Sequence, residues 1–149
     1  MKNNKWYVIS TFVLGCIVIN FAGRILSDRL QLPLWLDSFG TVTAAYVLGP
    51  FCGAMVGMTV NLTYGILYSW TNMFYAVVSA MVGITTGICV KKGFLKNLYG
   101  VLSTSFLIAV LSVTLSVPLN YLYCDGSTQN IWGDGVIESM EKVGFNSFF

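Results

Sequence analysis

The residues of this chain that could do chemistry are few, and they suit holding a solute more than converting one. Asp37 stands beside Trp35 and Ser38 at the start of a long uncharged stretch. Tyr64, Tyr68, Trp70, Asn72 and Tyr75 cluster around a polar interruption further on, and Asn120, Tyr121 and Tyr123 form a third group. Aromatic rings at helix ends are first of all interfacial belts. Asp37, Trp70 and Asn72 are less well explained that way, being polar or bulky in short connections. An aromatic cluster with one carboxylate would suit a flat heterocyclic or cationic solute through stacking and cation–π attraction.

Catalytic machinery has no comparable signal. The sequence contains no His, so imidazole metal ligation and imidazole acid–base chemistry are excluded. A serine without His lacks its usual base. There is no G-x-x-x-x-G-K-[ST] loop to hold the phosphates of ATP. The apolar stretches contain no acidic pair, His or Lys that would suggest a proton relay or a membrane protease. Neither an enzyme nor a cofactor is expected. A net charge of +2 without a basic run gives no reason to expect nucleic acid. Cys16, Cys52 and Cys89 fall inside apolar runs and only Cys124 near a loop, so they read as small packing residues.

The elements that position these residues are membrane helices. Residues 38–90 form an uncharged run of 53, and residues 97–124 a second of 28. One crossing of the hydrocarbon needs only about 20 helical residues. The longer run therefore crosses more than once. Hydrophobic residues make up 56% and charged residues 9% of the 149, against about a quarter charged in soluble domains. Mean hydropathy is +0.73. The expected fold is an all-α integral membrane protein, a polytopic bundle forming a single domain over residues 1–149. Helices are expected at 6–23, 73–90 and 98–123, with Pro118 kinking or ending the last. The run at 6–23 passes straight into further membrane segments and does not read as a cleaved signal peptide.

Residues 40–68 admit two topologies: one long helix kinked at Pro50, or two helices with a tight turn at Gly49-Pro50. Basic residues in short loops favour the cytoplasmic side. With the turn, Lys2, Lys5, Lys91, Lys92 and Lys96 are cytoplasmic, and of the early loops only Arg24 and Arg29 lie outside. One long helix would put five basic residues outside against three inside. The turn is therefore expected, with the N-terminus cytoplasmic. The helix before it, over 36–48, measures roughly 20 Å and should sit partly sunk against its neighbours. Short or broken helices of this kind mark the binding region of many transporters.

Behind the turn, Gly49, Gly53, Gly57, Asn61 and Gly65 recur at every fourth position, and Ser79, Gly83 and Gly87 do so on a later helix. Such faces let backbones approach closely. They predict that these two helices are the inner pair of the bundle. Asn61 interrupts the ladder at membrane depth, where an amide needs a partner. A helix–helix hydrogen bond and a ligand contact are both open for it. Asn61-Leu62-Thr63 matches a glycosylation sequon, but its depth makes that match spurious.

These features together resemble a known family. The stretch LPLWLDSFGTVTAAYVLGPFCGAMVGMTVNL, with its aromatic loop ending at Asp37-Ser38, Leu48-Gly49-Pro50-x-x-Gly53-x-x-x-Gly57 and then Asn61-Leu62, is similar to part of the substrate-binding S components of energy-coupling factor transporters. The plan of 6–123 looks like the first five helices of that six-helix fold, followed here by an incomplete sixth.

The resemblance implies a subunit of a bacterial plasma-membrane importer that captures a vitamin or related micronutrient. It also implies a transmembrane coupling subunit and ATPase subunits as partners. In the family, substrate enters a cavity from the outer face. On the topology above, the implied substrate-binding residues are Trp35, Asp37, Asn61, Tyr64, Trp70, Asn72, Tyr75 and Asn120. The family often docks its coupling subunit through Ala-xxx-Ala on the first helix, where this chain has Thr11-xxx-Gly15. The chain also stops at Phe149, where a sixth helix should be under way, as expected of a truncation or a stub that does not span. Some membrane sensor domains carry a similar Leu-Gly-Pro-x-x-Gly turn, so a sensor module is the second reading. A structural membrane protein is the third.

Overall fold

The computed structural model describes residues 4–30, 32, 36–124 and 131–143. These residues form six α-helices: α1 (Asn4–Leu30), α2 (Phe39–Leu48), α3 (Pro50–Leu67), α4 (Tyr75–Lys91), α5 (Leu98–Tyr123) and α6 (Ile131–Lys142). Short 3₁₀ turns precede α2, α4 and α5. The described residues contain no strand. Four segments are long and apolar enough to cross a membrane: Lys5–Leu30, Pro50–Leu67, Trp70–Lys91 and Leu98–Tyr123. The chain is an all-α membrane bundle.

The turn between α2 and α3 is built as the sequence requires. Gly49 has φ 97°, a backbone that L side chains rarely adopt, and Pro50 opens α3 at its first position. The Gly49 amide still bonds to Ala45 O, so α2 closes its last turn before the chain reverses. With 10 residues, α2 is about 15 Å long and too short to cross alone. A 3₁₀ turn, Leu36–Ser38, precedes it. Its small face of Gly40, Thr41, Ala44 and Ala45 is buried, while Phe39, Tyr46 and Val47 stay exposed.

Two devices hold α2 in place. Asn20 of α1 accepts a 2.6 Å bond from the Gly40 amide and donates a 2.9 Å bond to Thr41 Oγ1. The α1 side chain thereby satisfies an amide of the first turn of α2 that no intrahelical carbonyl reaches. Both Asn20 and Thr41 are fully buried. Cys16, Ala44 and Val56 form the adjoining apolar core, with Phe12, Val13 and Ile17 packed against it.

The glycine ladder does what its spacing predicts. A Cβ on Gly57 would lie 2.9 Å from Ser79 Cβ, and one on Gly83 would strike the backbone at Gly53 and Ala54. Gly87 faces Pro50, Gly53 faces Ala45, and Gly65 faces Met73. Helices α3 and α4 are accordingly the inner pair, with many buried positions each, whereas α5 buries only Gly100 and Thr104. Helices α1 and α5 flank the pair and present apolar side chains outward. Gly15 has nothing within 4 Å of a would-be Cβ, and Thr11 beside it is exposed.

Of the expectations about helix length, one is corrected and two hold. Helix α1 runs 27 residues, through Arg24 and Asp28 to Leu30, and does not stop near Gly23. Gly23 is a close-approach site, since a Cβ there would collide with Leu36 O. Pro118 lies inside α5, which continues to Tyr123. Membrane helices tolerate an interior proline when neighbouring groups satisfy the freed carbonyl. Finally, α6 has 12 residues, about 18 Å, which is short of a crossing.

Candidate functional site

The Gly49-Pro50 turn lies at the same end of the bundle as Lys91, whose Cε is 3.8 Å from a Cβ built on Gly49. Toward the opposite end is a cavity of about 420 Å³. Its wall comes from α1 (Arg24, Ser27, Asp28), the turn before α2 (Leu36, Asp37, Ser38), α3 (Asn61) and the turn Trp70–Met73 (Asn72). Helix α4 adds Tyr75, Val78, Ser79 and Val82, and α5 adds Ser112, Ser116 and Asn120. All but Leu36, Val78 and Val82 carry a polar side chain. In a chain with 9% charged residues, two aspartates and an arginine share this one wall.

Arg24 organises one side of that space. Its Nη1 donates to Asp37 Oδ2 at 3.4 Å and its Nη2 to Asn72 Oδ1 at 2.6 Å. Its guanidinium carbon lies 4.5 Å from the centre of the Tyr64 ring, a cation–π contact. Tyr64 is fixed in turn between Phe21 and Tyr68, with ring centres 5.4 and 4.8 Å away. The Asp37 and Arg24 side chains are only 10% and 13% exposed. Burial pushes the Asp37 carboxyl above the ordinary carboxylate range, and the Arg24 charge only partly offsets this.

The opposite wall is polar and uncharged. Ser112, Ser116 and Asn120 recur at every fourth position and so share the inward face of α5. The Tyr75 hydroxyl donates to Asn120 Oδ1, joining α4 to the end of α5. Beside it, Phe74 stacks on Tyr123 with ring centres 3.9 Å apart and planes at 15°. Toward the middle of the bundle, Asn61 Nδ2 donates to Ser79 Oγ at 2.6 Å and to Gly57 O at 3.2 Å. Asn61 is therefore both a link between α3 and α4 and part of the cavity wall.

The residues expected from the sequence separate into groups. Asp37, Asn61, Asn72, Tyr75 and Asn120 come together around the cavity. Tyr64 stands behind it, under Arg24. Trp70 points away: it is 60% exposed and sets its ring edge-on to Phe74. Trp35 lies outside the described residues.

Sequence reasoning missed Arg24, Ser27, Asp28, Ser79, Ser112 and Ser116 as wall residues. The fourfold spacing of Ser112, Ser116 and Asn120 was a readable signal. In the sequence, Arg24 stands out only as a charge that bears on topology. What the wall can do chemically is hold hydrogen bonds and balance a small number of charges. No protein-family model matches the chain, and neither a curated protein nor a solved structure shows significant similarity to it.

Proposed function

We propose that the chain is the substrate-capture subunit of an energy-coupling factor importer, holding a vitamin-like or related micronutrient in this cavity. The observation that carries the reading is the cavity itself, lined mainly by polar residues from six of the bundle's elements. Polar side chains in a membrane bundle are costly and mark sites of function. A space of this size falls in the range of small-molecule pockets, about 300–1,000 Å³. The likeness of residues 32–62 to the family's substrate-binding subunits supports the same reading. So does the sequence's lack of a phosphate loop, since in that family separate ATPase subunits supply the energy.

On this proposal the cavity faces the outside, the Lys91–Lys96 side faces the cytoplasm, and a coupling subunit docks elsewhere on the bundle. The open face of α1 around Thr11 and Gly15 has room for it.

The test is native mass spectrometry of the purified chain, followed by titration with whatever solute co-purifies. A stoichiometric small solute bound without nucleotide is expected, with uptake in vesicles only when a coupling subunit and ATPases are present. A chain that binds no such solute, alone or with those partners, refutes the proposal. A solute bound without any partner-dependent uptake favours a sensor module instead.

A further inference from the structure

We infer that the cavity recognises a zwitterionic headgroup, a carboxylate and an ammonium on neighbouring carbons, as in a free amino acid. This inference rests on the capture reading above and names the class of solute for the same site.

Its ground is the geometry of one ion pair. Arg24 and Asp37 both line the cavity and both are nearly buried, yet they meet through a single contact of 3.4 Å. A well-made arginine–carboxylate pair is commonly bidentate at about 2.7–2.9 Å. Asp37 is thus a loose counter-ion. Arg24 has firmer anchors on its other sides, the 2.6 Å bond to Asn72 and the ring of Tyr64. The guanidinium therefore keeps its position if Asp37 turns to another partner.

A buried pair of this kind adds little stability compared with apolar packing of the same volume. What it does provide is a positive and a negative group side by side in a cavity wall. A solute carrying both charges at similar spacing exchanges partners with the pair. Its carboxylate takes Arg24, its ammonium takes Asp37, and no charge is left uncompensated. A solute with only an anionic group would strand Asp37, a charge that is expensive to leave unpaired away from water. One with only a cationic group would draw Asp37 from Arg24 and bring no carboxylate in its place. Asp28, also in the wall, adds negative potential for the ammonium side. The remaining hydroxyls of Ser79, Ser112 and Ser116 suit a polar side chain more than a stacked ring.

The experiment is calorimetric titration of the full chain, in detergent, with a panel of free L-amino acids. Each one that binds is compared with its methyl ester, which lacks the carboxylate, and its N-acetyl form, which lacks the ammonium. Both derivatives should bind at least about tenfold more weakly, since each removes a charge-assisted bond. Arg24→Gln should narrow the gap for the ester alone, and Asp37→Asn the gap for the N-acetyl form alone. That selective change is one that general loss of structure would not produce, and the derivative series on the unaltered protein stands even if a variant fails to fold. Derivatives that bind as tightly as their parents, or a panel in which no amino acid binds, overturn the assignment. If a different solute co-purifies and titrates, the zwitterion assignment falls and the capture reading stands. If nothing binds at all, both fall.

Discussion

Arg24 Nη2 donates a 2.6 Å hydrogen bond to Asn72 Oδ1 across 48 positions of sequence. The bond ties the charged end of α1 to the turn before α4, in a wall where Asn72 is only 6% exposed. Removing the acceptor leaves a nearly buried guanidinium short of a partner. Asn72→Ala is therefore expected to lower stability by about 1.5–3 kcal/mol, the range for hydrogen bonds to charged groups. It should also loosen Arg24 and weaken solute binding. Thermal unfolding in detergent checks the first effect; an unchanged midpoint would mean that the Tyr64 ring and Asp37 hold Arg24 without help.

Acid should act on the same wall through Asp37. Its carboxyl is raised by burial, so as pH falls it takes up a proton before an ordinary exposed aspartate does. Binding of a solute with a positive group should then weaken as pH falls, and should do so before the acidity that protonates an exposed aspartate is reached. Stability follows the opposite sign. A carboxyl whose folded value lies above its unfolded one binds protons more readily when folded, so its contribution is greatest in acid and is lost as pH rises through the folded value. The measurement is affinity and melting temperature at matched pH for the native chain and Asp37→Asn. Acid-weakened binding that persists unchanged in Asp37→Asn would assign the effect to another group.

How much of this was legible in the sequence depends on range. The Gly49-Pro50 turn and the contacts of Gly57 with Ser79 and Gly87 with Pro50 are written in residue size at fixed spacing, and a small residue admits a neighbour whichever neighbour it is. Arg24 was not legible as a site residue. Its role arises from partners 13 and 48 positions away, brought together only when the turns at 36–38 and 70–73 fold over the same end. Trp70 shows the converse. Its bulk in a short connection marks it for binding, but nothing local decides which way a ring points, and its ring packs edge-on to Phe74 and stays exposed. Helix α1 outran its expected end because charges at 24–29 terminate an apolar count without terminating a helix.

The close approach of α3 and α4 predicts a large cost for bulk at Gly57. A Cβ there would sit 2.9 Å from both Ser79 Cβ and Ser79 O, so one of two packed backbones must move. Gly57→Leu should destabilise by about 1–3 kcal/mol. Gly15→Leu is the proper comparison, because nothing lies within 4 Å of its Cβ position and its helical backbone accepts any residue. Gly93 would mislead as a control: its φ of 76° strains any L side chain whatever the space. Equal melting temperatures for Gly57→Leu and Gly15→Leu would remove the ladder as a source of stability.

Two contacts at the end of α5 are the Tyr75–Asn120 hydrogen bond and the Phe74–Tyr123 stack. The helix itself buries only Gly100 and Thr104. Tyr75→Phe keeps the ring and deletes the bond, and should cost about 0.5–1.5 kcal/mol. Because α5 supplies one wall of the cavity, the solute should also leave faster. Dissociation followed by stopped-flow or competition checks this. A dissociation rate that Tyr75→Phe does not change would show that this hydrogen bond does not close that wall.

The bundle has two distinct ends, and one labelling experiment decides which faces the cytoplasm. The Gly49-Pro50 turn shares an end with Lys91, while Trp70 belongs to the turn at the cavity end. Basic residues concentrate at the former, with Lys91, Lys92 and Lys96 close together, and such clusters favour the cytoplasmic side. Asn72 is too buried to label well, but Trp70 is 60% exposed and Lys92 is also exposed. In a background with Cys16, Cys52, Cys89 and Cys124 replaced, Trp70→Cys should react in intact cells with a thiol reagent that cannot cross the membrane. Lys92→Cys should react only after the cells are opened. The reverse pattern would turn the cavity toward the cytoplasm, and a protein that captures solute from outside would then be the wrong reading of this site.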